Sequence, residues 1–278
     1  MEQGTILAIF AHPDDEAFSV GGTLPWYTAR GVNAALVCAT RGEVGEIADP
    51  ALATPETLAQ VREAELGCAA QSMGVKRLIF LDYRDSGMAG TPENEDSRAF
   101  VNAPADEVVA RLVGIIRQVR PRVVITFGPD GIYGHPDHVA IHRRTLSAFH
   151  AAANPARFPE QGEAWLPTRL FYTALPCSMI QAMRDWLVSM GEDTSEVDSF
   201  EAAGAGCPDD QVHAVLDVAD RVEAKWEALN CHRTQFGPEN LFRRLPEDVV
   251  KRAISQEHFT QAWPEPQPGL RLDDLLAD

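Results

Sequence analysis

Residues 6–16 read ILAIFAHPDDE, an apolar run of strand length that stops at a His-Pro pair and then delivers three carboxylates. Pro13 lacks a backbone donor and pushes His12 toward extended geometry, so we expect the strand to end there. Gly21, Gly22 and a helix-like stretch follow, as in the first strand, loop and helix of an open α/β sheet. Such sheets bind ligands at the carboxyl ends of their strands. A divalent metal is the simplest reason for an imidazole and adjacent carboxylates to emerge together.

Further strand-like runs alternate with helical segments along the first two thirds of the chain. The predicted strands cover residues 33–40, 77–83, 122–127 and 169–175, and the predicted helices cover 22–30, 54–73, 105–120 and a segment ending at about 152. This alternation through residue 176 predicts a doubly wound, mostly parallel α/β sheet. The later part is less regular, with helices predicted at 179–190, 219–231 and 247–254 and a short strand at 212–218. We expect a single domain, 1–278, with an α/β core at 1–176 and a C-terminal elaboration at 177–278.

Two polar stretches are longer than ordinary connections. Residues 84–104 contain several glycines, prolines and acids, and residues 191–210 are acidic and rich in serine and glycine. Long polar connections beside a ligand site often act as lids. We therefore predict that both stretches are mobile and border the site.

Composition and charge exclude several classes of protein. The 278 residues carry a net charge of −17, which argues against a nucleic-acid-binding surface. No apolar run reaches the roughly 18 residues of a membrane span, and the chain from Glu2 shows no signal peptide. The five cysteines, which are Cys38, Cys68, Cys177, Cys207 and Cys231, form no CxxC pair. They predict free thiols and a cytoplasmic protein without a thiolate metal site.

Two clusters of histidine and aspartate follow predicted strands. Residues 12–15 read HPDD after the first strand, and residues 135–138 read HPDH after the fourth. These two strands are neighbours at the switch point of the common doubly wound order, so the clusters should converge. Two histidines and one aspartate with open positions are typical of a hydrolytic zinc site and would also suit iron(II). A leftover carboxylate could then act as general base and a leftover histidine as general acid.

Plainer interpretations exist for both clusters and for the other histidines. Either cluster could be a turn whose aspartate caps the following helix. His142 lies one helical turn after His138, where a structural role is favoured over metal ligation. The remaining histidines have no adjacent carboxylate cluster and are interpreted as structural; they are His150, His213, His232 and His258.

Six stretches of the chain resemble the LmbE/PIG-L family of zinc-dependent N-deacetylases. They are AHPDDE at 11–16, TRGEVGEI at 40–47, VREAEL at 61–66, YRDSGM at 83–88, GIYGHPDHV at 131–139 and CHRTQF at 231–236. Within the family, YRDSGM and YGHPDH resemble the branch that deacetylates N-acetylglucosaminyl intermediates of mycothiol and bacillithiol synthesis. The family fold is Rossmann-like, in agreement with the pattern of strands and helices.

The resemblance implies a role for each residue of the two clusters. His12, Asp15 and His138 would be the zinc ligands, and Asp14 would be the general base. Zinc lowers the pKa of a bound water to about 7, which makes hydroxide available at neutral pH.

Other positions acquire roles by the same resemblance. His135 would protonate the leaving amine and steady the oxyanion, Asp137 would orient it, and Tyr133 would polarise the carbonyl. Apart from the resemblance, Asp137 or the local acidic field could raise the pKa of His135. The residues lining the sugar pocket would be Arg62, Asp85 and Met88. Arg41 and Glu43 follow the second strand and have no assigned role.

The resemblance implies a metal-dependent hydrolase that removes the acetyl group from a small N-acetylglucosaminide. Alternatives are an amidase on thiol S-conjugates or other bulkier amides, and a catalytically silent sugar- or metal-binding module. A phosphoesterase lacks support, because the chain has no glycine-rich phosphate loop. The aglycone, the choice between zinc and iron(II), and a homo-oligomeric state are left open by the sequence.

Overall fold

The strands of a computed structural model form one mixed sheet. They are β1 (Thr5–Phe10), β2 (Asn33–Cys38), β3 (Arg77–Phe80), β4 (Val123–Phe127), β5 (Arg169–Ala174), β6 (Ala214–Asp217) and β7 (Gln256–Trp263). Their order across the sheet is β3-β2-β1-β4-β5-β7-β6. The structure describes residues 4–277, so Glu2, part of the stretch used to predict the absence of a signal peptide, lies outside them.

Helices cover both faces of an α/β arrangement in which α4 packs against α6 and α3 against α9. They are α1 (Asp15–Val20), α2 (Thr23–Thr28), α3 (Leu58–Ser72), α4 (Ala105–Val119), the short turn α5 (Gly131–Gly134), α6 (Pro136–Ala152), α7 (Cys177–Met190), α8 (Ser195–Ala202), α9 (Val222–Cys231) and α10 (Glu247–Ala253). Single 3-10 turns occur at Pro92–Glu95, Phe100–Asn102, Pro159–Gln161, Asp209–Gln211, Ala219–Arg221 and Leu241–Arg243. Between residues 4 and 277, every helix is too short or too polar to cross a bilayer.

The position of β1 explains the convergence of the two clusters. Residues 6–10 are at most 1% exposed, because a central parallel strand is covered on both faces. β1 pairs in parallel with β2 on one side and with β4 on the other, where Ile6 lies opposite Val123. The chain order reverses between β1 and β4, and their carboxyl ends lie at the same edge. The predicted doubly wound α/β fold is confirmed.

The C-terminal part extends this sheet instead of forming a separate layer. β7 is antiparallel to both β5 and β6. The sequence analysis did not predict β7, because its buried face includes the charged Glu257, which breaks the apolar pattern of a strand. The Nζ of Lys225 on α9 donates to this carboxylate at 2.5 Å, and the backbone N–H groups of Gly22 and Thr23 also donate to it. Glu257 on β7 thereby caps the N-terminal end of α2.

Both long polar stretches contain ordered, buried residues. Within residues 84–104, Ser86 and Phe100 are completely buried. Residues 191–210 include α8, whose Val197 packs in a second apolar cluster with Ile180 and Leu187 of α7. This helix was not predicted, because residues 191–210 are acidic and lack a clear helical pattern of apolar residues. A lid movement of either stretch stays a prediction.

The prediction of five free thiols is wrong for two of the cysteines. Cys68 on α3 and Cys231 at the end of α9 form a disulfide that links positions 163 residues apart. Their pairing follows from the packing of α3 on α9, which no local pattern reveals. Cys38, Cys177 and Cys207 are free, as predicted. The cysteines therefore no longer support the prediction of a reducing, cytoplasmic compartment.

Candidate active site

The loop after β1 holds two adjacent aspartates in different directions. Asp14 has φ 116° and ψ −31°, a strained conformation for a residue with a side chain. Asp15 begins α1, and its Oδ2 accepts the backbone N–H groups of Ala11 and His12 at 3.1 and 2.7 Å. The sharp turn therefore separates Asp14 from Asp15, which folds back toward the end of the strand.

The loop after β4 places the second cluster beside the first. Gly131 has φ +64°, and a Cβ there would lie 2.8 Å from the Cβ of His138, so only glycine fits. The Gly131 carbonyl lies 3.1 Å from Nδ1 of His138. Phe127, the last residue of β4, stacks on the His138 ring with centroids 4.1 Å apart. These contacts fix the ring with its Nε2 turned toward the loop after β1.

One ring nitrogen from each of His12 and His138 meets the carboxylate of Asp15 between the two loops. Nδ1 of His12 lies 3.1 Å from Nε2 of His138, which lies 3.2 Å from Oδ1 of Asp15. The other Asp15 oxygen, Oδ2, lies 3.6 Å from His12 Nδ1. Ligand atoms on a tetrahedral zinc ion about 2.0–2.1 Å away would be separated by about 3.3 Å. The distances from His138 Nε2 to His12 and to Asp15 are close to that value, and a single Asp15 oxygen does not make both of its contacts.

The far ring nitrogens show why this cluster fits a cation. Nε2 of His12 faces carboxylate oxygens of Asp137 at 3.3 Å and Asp85 at 3.5 Å. Nδ1 of His138 faces the Gly131 carbonyl, an acceptor only. When both rings are neutral, these far nitrogens carry the protons, and two lone pairs face each other at 3.1 Å. A metal between them would relieve that repulsion, and outer partners of this kind are typical of ligating histidines.

Other residues of the site also offer donor atoms. A nitrogen of His135 lies within 4.8 Å of nitrogens of His12 and His138, and His12, Asp85 and Asp137 form a second group with the same spacing. The cluster can hold a metal ion, and it offers more donors than three.

Charges in the cluster shift the pKa values of its members in opposite directions. Burial alone lowers the pKa of His12, but the Asp85, Asp137 and Asp15 carboxylates raise it well above its usual value. Burial alone raises the pKa of Asp15, but the facing imidazoles of His138 and His12 hold it below its usual range. The raised pKa of His12 and the lowered pKa of Asp15 both favour an ionised carboxylate beside a charged imidazole.

Asp14 stands apart from this pattern. Burial and the neighbouring Asp15 charge raise its pKa to about 6, against the opposing effect of Arg62. Arg62, on α3, lies 3.3 Å from the Asp14 carboxylate and donates to the backbone carbonyls of Pro13 and Gly42. Asp14 therefore titrates near neutrality, as a general base should.

The partners of His135 differ from the expected ones. Its Nδ1 accepts the backbone N–H of Asp137 at 3.1 Å, so a neutral ring carries its proton on Nε2. The Asp137 carboxylate instead faces His12 and accepts from both the backbone N–H and the hydroxyl of Ser86. Burial and the imidazoles of His12 and His138 lower the pKa of His135 to about 3. The Asp137 and Asp85 carboxylates raise this pKa, as expected of acidic neighbours, but burial and the two imidazoles outweigh them, so the net shift is downward and not upward.

The remaining predicted residues surround the cluster at different depths. The Tyr133 ring lies 5.1 Å from that of His138 and 6.2 Å from that of His135, and burial raises the pKa of its phenol. Asp85 is buried beside His12, whereas Met88 is 47% exposed. Arg62 is only 3% exposed, which rules out a solvated helix charge.

Among the remaining residues, His142 is structural, whereas Arg41 and Glu43 have no proposed role in the reaction. Nδ1 of His142 lies 2.9 Å from the Phe127 carbonyl, and its ring packs against Tyr172, which gives it the structural role. Arg41 pairs with the exposed carboxylates of Glu63 and Asp82. Glu43 leaves one buried oxygen without a hydrogen-bond partner among residues 4–277.

Sequence reasoning missed several residues that support the site. Ser86 lies within the YRDSGM stretch, yet its hold on Asp137 has no sequence signal. Glu16 belongs to another quoted stretch and bonds to His232, which lies 216 positions further along. Pairings between segments this distant were not accessible from spacing.

Comparison with known sequences relates the chain to deacetylases. The sequence profile described as "PIG-L: GlcNAc-PI de-N-acetylase" matches residues 7–149. A protein of Geodermatophilus obscurus, named 1D-myo-inositol 2-acetamido-2-deoxy-alpha-D-glucopyranoside deacetylase, is 36% identical over 265 residues. The match covers 91% of this chain and 90% of that protein.

Comparison with solved structures identifies the same fold. The N,N'-diacetylchitobiose deacetylase of Pyrococcus horikoshii superposes with a TM-score of 0.66 at 21% identity, over 96% of this chain and 84% of its own. The 4-carboxy-2-hydroxymuconate hydratase of Pseudomonas putida KT2440 superposes with a TM-score of 0.61 at 16% identity, over 96% of this chain and 99% of its own. Because one neighbour is a hydratase, the fold alone does not select a reaction, and the site must do so.

Proposed function

The chain belongs to the PIG-L family of GlcNAc-PI de-N-acetylases, and on that premise we propose that it removes the acetyl group from a small molecule containing N-acetylglucosamine. The observation that carries the proposal is the meeting of His12, Asp15 and His138 beside the Asp14 carboxylate. The proposal takes these three residues as the metal-binding donor set and Asp14, whose pKa burial raises to about 6, as the base. The relatives' names favour an inositol aglycone in α linkage.

We propose Zn²⁺ as the metal, held by His12, Asp15 and His138, with Fe²⁺ as the competing ion. The mixed nitrogen and oxygen donors suit either ion. When bound, the ion would polarise the acetyl carbonyl and favour deprotonation of the attacking water.

Asp14 carries the proton in this scheme. Its carboxylate accepts a proton from the water as the water oxygen bonds to the acetyl carbon. The C–N bond then breaks, and the nitrogen leaves with a proton as a free amine, while the acetyl group leaves as acetate. Because Asp14 holds the proton taken from the water, it is the group suited to return it to the amine.

His135 and Tyr133 act as hydrogen-bond donors. With its pKa lowered to about 3, His135 is neutral at pH 7, and its Nε2–H can donate to the oxygen of the acetyl group. A bound cation would shift this pKa in the same direction. The Tyr133 phenol keeps its proton and can donate to the same oxygen. His135 is thus proposed to steady the oxyanion and not to supply the proton of the amine.

The sugar would lie against Arg62, Asp85 and Met88. Arg62 and Asp85 are buried beside the metal-binding cluster, and the exposed Met88 provides apolar surface at the rim. These contacts are proposed from the family resemblance.

Release of acetate and free amine from a panel of N-acetylglucosaminides tests the proposal. The panel should include an α-linked inositol, other aglycones and a bulkier acyl group, each assayed with chelator and with added zinc. We expect metal-dependent acetate release that is fastest with the inositol glycoside. Preference for the bulkier amide would indicate an amidase, and no release from any compound would refute the proposal.

A further inference from the structure

His232 follows α9 and has no part in the reaction scheme above. Its Nε2 lies 2.6 Å from Oε1 of Glu16, although 216 positions separate the two residues. Both side chains are 1% exposed. The pair adjoins the loop that carries Asp14 and Asp15, because Glu16 is the next residue in the chain.

Glu16 connects this pair to the proposed base. Its second oxygen, Oε2, accepts the backbone N–H of Asp14 at 3.0 Å. The Asp14 backbone is strained, at φ 116°, and such a conformation persists only when its surroundings hold it. A further restraint comes from Arg62, which donates to the Pro13 carbonyl. Glu16 thus fixes the peptide group that sets the direction of the Asp14 side chain.

His232 supplies the charge that a buried Glu16 requires. A buried carboxylate without a partner is strongly destabilised and tends to turn toward water. Burial alone lowers the pKa of His232, but the Glu16 carboxylate, 2.6 Å away, raises it above its usual value, so the imidazole can serve as that partner. Without His232, a turn of Glu16 toward water would weaken the bond from Oε2 to the Asp14 N–H.

We propose that His232 and Glu16 are positioning residues that hold the Asp14 carboxylate in its working direction. The chain of contacts runs from His232 Nε2 through the Glu16 carboxylate to the Asp14 N–H. The proposal rests on the proposed function, because it takes Asp14 as the base. A displacement of about 1 Å at a reacting group can cost about 100-fold in rate.

The same loop offers a matched control. Thr234 is completely buried two positions after His232, and its backbone N–H and hydroxyl donate to the buried Glu65 at 2.8 and 2.6 Å. Glu65 lies on α3, and within residues 4–277 its carboxylate bonds to Thr234 and not to Asp14. Thr234→Val therefore loosens the same segment without touching the proposed chain of contacts.

The test compares His232→Leu, His232→Gln and Thr234→Val with the wild type. We expect His232→Leu to lower kcat by about 10–100-fold, with KM and metal content close to wild type. His232→Gln keeps a donor for Glu16 and should recover part of kcat. Thr234→Val should lower Tm while kcat stays within about 3-fold of wild type.

Hydrogen exchange provides a readout that does not depend on activity. In metal-free protein, the amides of residues 12–18 should exchange faster in His232→Leu than in wild type, and Thr234→Val should leave them unchanged. If His232→Leu fails to fold, the His232→Gln variant and a Glu16→Gln variant provide the same comparison.

Two results would overturn the inference. One is a His232→Leu variant with kcat within about 3-fold of wild type and unchanged exchange at residues 12–18. The other is an equal loss of kcat in Thr234→Val, which would reduce the effect to general loosening. Failure of wild-type protein to release acetate from any panel compound would instead refute the proposed function, and the exchange measurement would still test the positioning.

Discussion

The carboxylate of Asp137 lies 3.3 Å from Nε2 of His12, whereas Asp137 meets His135 through its backbone N–H. The acidic group therefore supports a proposed metal ligand. Ser86 fixes the same carboxylate with two hydrogen bonds, one to each oxygen. This relationship leads to a prediction that differs from the role implied by family resemblance.

Asp137→Asn should weaken metal binding by about 10–100-fold, because loss of an outer partner of a ligating histidine has that effect. Ser86→Ala should weaken it in the same direction and by less, since it removes one hydroxyl contact. Competition with a chromophoric chelator measures both affinities. If Asp137→Asn keeps normal metal affinity but loses turnover, Asp137 instead acts through His135.

His12→Ala and His138→Ala should each abolish stoichiometric zinc or iron binding, because removal of one of three ligands leaves a weak site. Elemental analysis of the purified proteins gives the metal content. His213→Ala, which changes a histidine directly before β6, is the control and should keep its metal. Full occupancy in both ligand variants would contradict the proposed ligand set.

Asp14→Asn should retain the fold and the metal but lose roughly 100-fold or more in turnover, the usual scale of general-base assistance. Steady-state acetate release and metal analysis are needed together. Asp15→Asn is the matched variant at the adjacent position and should lose metal. The reverse outcome, with metal lost only in Asp14→Asn, would exchange the two roles.

His142→Gln should make the stability less dependent on pH. Burial lowers the pKa of His142 below its ordinary value of 6.5, so the unfolded state binds this proton more readily than the native state. The free energy of unfolding should therefore fall as pH decreases below about 6.5. Urea unfolding of both proteins between about pH 7.5 and pH 5 isolates the contribution, because the other histidines are present in each. Parallel curves would show that His142 contributes nothing.

Cys68→Ser and Cys231→Ser should each lower the free energy of unfolding by about 2–4 kcal/mol, because the disulfide closes a long loop. Thermal unfolding with and without reductant measures the effect. Reductant should lower the Tm of wild type and of the Cys177→Ser control but leave both disulfide variants unchanged. A wild-type Tm that does not respond to reductant would contradict the disulfide.

Local patterns were sufficient to predict the main part of the fold and the meeting of the two clusters. The apolar runs ending at His12 and before Gly128 are buried on both faces, which is typical of central parallel strands. Such strands direct their carboxyl ends to one edge of a doubly wound sheet. For that reason, residues about 120 positions apart could be expected to form one site.

Parts of the fold that depend on charge pairing could not be predicted in this way. β7 carries Glu257 on a buried face, and its ion pair with Lys225 and the N–H groups of Gly22 and Thr23 make that burial tolerable. The Cys68–Cys231 disulfide depends on the packing of α3 against α9. Neither partner of such a pair identifies the other in the sequence.

The sequence by itself determined the parallel part of the sheet, the two polar loops and the residue types available for a metal and a base, because these follow from strand periodicity and from the ends of parallel strands. Only the tertiary structure decided the partners of individual groups. In the folded chain the Asp137 carboxylate faces His12, and His232 contacts Glu16. These pairings depend on the direction of each side chain within a packed core, which is set by contacts between distant segments and not by local periodicity.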